Sequence, residues 1–90
     1  MFSKSFAALS DPNRQKILSV LREGEKPVSE IAENLNITLA TLSHHLDLLK
    51  RADLVSARRS GRQIFYSLNM SVVEELAEVI IKFIGKPKKK

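Results

Sequence analysis

The chain has no cysteine, and histidine is almost as scarce, with two residues in 90. Without cysteine there can be no disulfide framework, thiolate metal site or thiol chemistry. No apolar run approaches the ~20 residues needed to cross a bilayer. The opening MFSKSFAALSDPNR lacks a signal-peptide layout, because its apolar stretch is short and soon charged. There is no glycine-rich phosphate loop, no internal repeat and no linker dividing the chain. These absences leave the expectation of one soluble, cytoplasmic domain. At this size, association with a second copy is a common way to bury more surface.

Positive charge is what the chain has in excess. Fifteen Lys and Arg stand against ten Asp and Glu, a formal net charge of +5. Such a balance favours polyanionic partners, nucleic acid before acidic membrane. One basic cluster, Arg58, Arg59 and Arg62, straddles Ser60-Gly61. The other, Lys86 and Lys88–Lys90, follows the last apolar residue. The expected organisation is a domain over residues 1–85 with a basic tail over 86–90, the tail reading as a solvated terminus.

Apolar spacing predicts a first helix over residues 2–9, with Phe2, Phe6 and Leu9 on one stripe. Asp11-Pro12 ends it and starts a second helix, since Asp caps well and Pro suits the first helical position. That helix runs to Arg22 around Ile17, Val20 and Leu21, and Gly24 closes it. A third covers 28–35 with Val28, Ile31, Ala32 and Leu35 inward. After the brief link Asn36-Ile37, Thr38 caps a fourth helix reaching Ala52. Two helices across so tight a turn outline a helix-turn-helix. The period then changes. LVSARR and RQIFYSL read as two strands around a Ser60-Gly61 turn, with Ile64, Tyr66 and Leu68 inward. A fifth helix starts at Ser71, which with Glu74 makes an S-x-x-E capping box, and ends at Gly85. The fold expected is mainly α with a small β-hairpin, in the order α-α-α-α-β-β-α: a winged helix-turn-helix.

The fifth helix is too apolar for a lone surface helix. Val72, Leu76, Ala77, Val79, Ile80, Ile81, Phe83 and Ile84 cover more than half its circumference, against a usual stripe of ~100°. The excess predicts a homodimer joined through the terminal helices.

His44 and His45 are adjacent, so on a helix they point about 100° apart. Two ligands on one helix face need i,i+3 or i,i+4 spacing, which excludes a shared metal site within this helix. His45 falls on the apolar arc with Leu42, Leu46 and Leu49, and reads as a core-edge histidine bonded to backbone. His44 falls on the opposite arc with Leu39, Ala40 and Ser43. That arc is short of charge for a solvated face, and its small, hydrogen-bonding side chains suit base edges in a major groove. Ser43 beside His44 is poor geometry for a nucleophile and its base, so no enzyme is expected.

DPNRQKILSVL, VSEIAENLNIT, LSHHLDLLKRADLV and RRSGRQIFYSL, in that order and spacing, resemble the ArsR family of bacterial winged-helix repressors, and within it the SdpR-type autorepressors. The resemblance covers residues 5–84. It implies a homodimer joined by first and last helices, a recognition helix over residues 39–51, and a wing over 58–63 on flanking DNA. It also implies repression of a nearby operon, often the protein's own. Family members that sense metals use cysteines near the DNA-reading motif, or His and carboxylates on the last helix. This sequence has neither set, and no metal or other cofactor is expected.

The expected base readers are Leu39, Ala40, Ser43 and His44, with Arg58, Arg59, Arg62 and Gln63 on backbone or minor groove. Thr38, Thr41 and Lys50 are candidate phosphate contacts. The expected dimer interface comprises Phe2, Phe6, Leu9, Leu76, Val79, Ile80, Phe83 and Ile84. The partners expected are double-stranded DNA and a second copy, with no membrane. Two rivals stay open: a winged helix that binds a protein partner, and a regulator gated by a small ligand.

Overall fold

The computed structural model describes residues 3–85; Phe2 and the tail over 86–90 lie outside them. Helices α1 (Ser3–Ala8) and α2 (Pro12–Leu21) meet at Asp11. Its Oδ1 accepts the amides of Asn13 at 2.7 Å and Arg14 at 3.3 Å, capping α2. Pro12 takes the first helical position, where its missing N–H leaves no bond unmade. Desolvation pushes the Asp11 carboxyl up, but the two amides and the electrostatic pull of His45 and Arg14 together hold it below the ordinary carboxylate value. Such a group contributes stability above its unfolded pKa and loses it as pH falls through the folded value. Melts between about pH 6 and about pH 2 should show the wild type losing more stability than Asp11→Asn, which keeps the acceptor without titrating. Parallel losses would remove this cap from the acid response.

After α2, Gly24 takes φ 132° and the chain enters β1 (Lys26–Pro27). This strand is absent from the sequence-based expectation. Lys26 pairs with Tyr66 and Pro27 with Phe65, giving a three-stranded antiparallel sheet of order β1-β3-β2 rather than a bare hairpin. An edge strand tolerates Pro27, which has no N–H for a second neighbour. Helices α3 (Val28–Leu35) and α4 (Leu39–Arg51) follow at once. The turn between them rests on Asn36, left-handed at φ 55° and ψ 47°, a conformation Asn adopts more readily than most residues. Thr38 then caps α4, its hydroxyl accepting the Thr41 amide at 3.1 Å.

The end of α4 is a Schellman closure. The Leu54 amide donates to the Leu49 carbonyl and that of Asp53 to Lys50, both at 3.0 Å, with Asp53 left-handed at φ 62°. This feeds the chain into β2 (Val55–Ser60), which pairs antiparallel with β3 (Gln63–Leu68). The register runs from Val55↔Leu68 to Ser60↔Gln63, so the connecting pair is Gly61-Arg62, one residue later than expected. Gly61 takes the left-handed φ of 63° that the first loop position demands.

The core gathers Ile17, Leu21, Ile31, Leu42, Leu46, Leu49, Leu54 and Val55. Val20, expected inside, is only half-buried. The Ser5 hydroxyl is buried and donates to the Ala52 carbonyl at 3.1 Å, tying α1 to the end of α4.

Helix α5 (Met70–Ile84) begins one residue before the expected cap. Ser71 therefore sits inside the first turn, and its hydroxyl donates to Asn69 Oδ1 at 3.1 Å. The predicted capping box with Glu74 does not form. Asn69 is instead tied to the end of α4, where its Nδ2 donates to the Asp53 carbonyl and its amide to that of Leu54, each at 2.9 Å. Of the expected interface residues on α5, Leu76 is turned into the chain's own core, whereas Ile80, Phe83 and Ile84 are exposed. Val79 is half-buried, as are Phe6 and Leu9, which pack on the core.

Candidate nucleic-acid interface

The inner arc of α4, Leu42, His45, Leu46 and Leu49, is buried and fixes the helix by its apolar side. The outer arc is therefore presented on a rigid element. Thr38, Leu39, Ala40, Thr41, Ser43, His44 and Lys50 are all exposed, Leu39 to 59% despite its apolar side chain. The Thr38 hydroxyl accepts the Thr41 amide and donates to Thr41 Oγ1 at 3.0 Å, which leaves the Thr41 proton available to a phosphate. Asp47, the one acidic residue on this arc, is paired with Arg51 at 3.0 Å.

The two histidines part as their spacing requires. His44 is exposed, while His45 retains only 7% of its surface. The expected backbone partner of His45 is replaced by a side chain, because α2 lies against this arc and brings Arg14 to the ring. The Arg14 Nη1 lies 3.3 Å from His45 Nδ1, and its Nε donates to the Ala8 carbonyl at 2.8 Å. A guanidinium has no acceptor, so in this pairing Nδ1 is the accepting atom. One arginine thus joins the end of α1, the start of α2 and the middle of α4. Spacing along α4 could place His45 inside, but a partner 31 residues away leaves no local trace.

At the wing, Arg59, Arg62 and Gln63 are exposed, and among the described residues neither Arg59 nor Arg62 has an ion-pair partner. Arg58 differs. Its Nε and Nη2 donate to the two carboxylate oxygens of Glu25 at 2.7 and 2.8 Å, and its guanidinium lies 4.9 Å from the Phe65 ring centroid. Hydrogen bonding to Arg58 holds the Glu25 carboxyl below its usual range and raises the guanidinium in turn. Glu25 is a site residue that sequence reading missed, since nothing local marks a pair made across 33 positions.

No helix among the described residues is long and apolar enough to cross a membrane. What the surface offers is a convex helix carrying hydroxyls, an imidazole and small apolar groups, flanked by a cationic hairpin. That is a shape and chemistry for a duplex groove.

Comparison with known proteins agrees. Residues 11–57 match the model of the bacterial regulatory protein arsR family. The chain is 43% identical over 81 residues to the transcriptional repressor SdpR of Bacillus subtilis, covering 90% of each. It is 43% identical over 77 residues to a cadmium resistance regulatory protein CadC homolog of Staphylococcus aureus, covering 84% of this chain and 64% of that one. Among solved structures, the homodimeric winged helix-turn-helix DNA-binding domain of Mb0332 from Mycobacterium bovis superposes with a TM-score of 0.77. It is 31% identical, over 96% of this chain and 81% of that one. Fold, exposed outer face of α4 and sequence kinship agree: the chain belongs to the ArsR family of bacterial regulatory proteins, winged helix-turn-helix regulators of transcription and not enzymes.

Proposed function

We propose that two copies of this chain, joined through α1 and α5, repress transcription in the cytoplasm by occupying a palindromic operator, including one near their own gene. The observation that carries the reading is the division of α4: its inner arc is locked in the core while Leu39, Ala40, Ser43 and His44 stand outward. These four meet base edges in the major groove. Thr41 and Lys50 donate to phosphates, with Thr38 holding Thr41 in place. Arg59, Arg62 and Gln63 hold the flanking backbone or minor groove. The exposed apolar residues of α5 and the homodimeric Mycobacterium bovis relative support the pairing of two copies.

Selection of bound sequences from random DNA by the purified protein tests this directly. The expected product is a palindromic consensus with half-sites about one helical turn apart or a multiple of it. Binding no tighter than to random sequence would favour a protein-interaction module. A reporter on the chain's own promoter, repressed by the wild type and released by deletion, tests autoregulation.

Arg62→Ala should weaken binding to all sequences and lower the log–log salt slope by ~1 per subunit. A changed base preference at an unchanged slope would make Arg62 a base reader.

Operator binding is further proposed to be independent of metal. The sequence has no cysteine, and of its two histidines one has its Nδ1 engaged by Arg14. Low-micromolar zinc, nickel or copper, and chelators, should leave affinity within about threefold, or ~0.7 kcal/mol. A larger reversible change with a stoichiometric site would overturn this and point to ligands shared between subunits.

A further inference from the structure

Arg58 belongs to the basic cluster of the wing, yet its charge is already engaged. Glu25, in the segment before β1, takes both donors of one edge of its guanidinium. Phe65, its cross-strand neighbour on β3, lies beneath the other side. Pro27, two residues after Glu25, pairs with that same Phe65 on its opposite edge. Glu25, Arg58 and Phe65 thus form a stack that clasps the sheet from one side to the other. A two-stranded ribbon is weakly stable by itself, and this stack stands where the hairpin leaves the three-stranded part of the sheet.

We infer that Glu25 and Arg58 form a strut that sets the direction in which the wing presents Arg59 and Arg62, and that Arg58 is a positioning residue rather than a phosphate contact. The inference rests on the reading of the wing as a DNA-contacting element. Its physical ground is the bidentate geometry. Isolated exposed ion pairs contribute little, but a fork-to-carboxylate pair stacked on a ring is held in one orientation. A phosphate approaching Arg58 would also meet the Glu25 carboxylate, which offsets the guanidinium charge and already holds two of its five N–H donors.

The test uses the full chain with Arg58→Ala, Glu25→Gln and Arg62→Ala. Amide hydrogen exchange of residues 55–68 is measured without DNA, and the salt dependence of binding is measured on the selected duplex. Both strut variants should speed exchange across the hairpin. They should also lower affinity by roughly threefold to tenfold at a log–log slope equal to that of the wild type. Arg62→Ala should leave exchange alone and reduce the slope by ~1 per subunit. The inference is overturned if Arg58→Ala lowers the slope as Arg62→Ala does. It is equally overturned if Glu25→Gln tightens binding with a steeper slope, which would make Arg58 a phosphate ligand and Glu25 its mask. Unchanged exchange in both strut variants would also refute it. Should the wild type select no DNA sequence, the functional reading fails, while exchange still decides whether the strut exists.

Discussion

Ile80→Glu is expected to leave a folded monomer that has lost specific binding by a factor on the order of 10²–10⁴, the gain that simultaneous engagement of two half-sites supplies. Ile80 is 43% exposed on α5, in line with the more exposed Phe83 and Ile84 one turn on. It also edges an apolar groove of about 310 Å³, lined by Leu9 and Leu18 from one side and by Leu76 and Ala77 from α5. An open apolar groove continuous with an exposed apolar helix face is a surface shaped to be covered. In a two-fold interface each substitution appears twice, so the variant would bury two carboxylates without partners, and burying unpaired charge is prohibitive. In the monomer the same glutamate faces solvent and the core around Leu76 is untouched, so the melting transition should survive. Sedimentation and operator titration on one preparation decide the matter. A wild type monomeric at micromolar concentration removes the premise, and a glutamate variant that still pairs moves the interface elsewhere.

How much of this was legible beforehand follows the range over which each signal acts. Asp11-Pro12, Asn36 and Thr38 act within three or four residues, and the structure has each where local chemistry put it. The histidine division was legible too, because helical stepping is a local rule. Misreadings begin where a distant element decides. Strand β1 has two residues and no periodicity of its own; it exists because β3 offers it an edge. The hairpin connection moved by one residue because pairing of Val55 with Leu68 at the base sets the register, not the dipeptide at the tip. The capping box at Ser71 failed because Asn69 is fixed by the Asp53 carbonyl, which starts α5 earlier. At the candidate site the basic cluster around Arg58 was legible, but its pairing with Glu25 across 33 positions and its contact with Phe65 across the strands were not.

His44→Ala and His45→Ala should fail in different assays. His44 is exposed on the outer arc beside Ser43, so its loss should leave the melting temperature nearly constant. It should remove ~1–3 kcal/mol of discrimination against the wrong base pair at one operator position. His45 is buried, and its Nδ1 accepts from the arginine that also holds the Ala8 carbonyl. Truncating it opens a cavity beneath α4 and leaves a guanidinium N–H facing it, a combined loss of ~1–3 kcal/mol of stability with base preference intact in the folded fraction. His45→Gln can return a carbonyl acceptor to Arg14, and should recover part of that stability if the hydrogen bond, and not the ring volume alone, is what α4 requires. The two rings are close, with centroids 5.9 Å apart and planes tilted by 53°, so any shift of α4 in the His45 variant will reach His44. That coupling gives the experiment its control: affinity for all operator variants should fall together for His45→Ala, and at one position for His44→Ala. Equal losses from both substitutions in melts and in base discrimination would mean that α4 does not divide its faces between core and DNA.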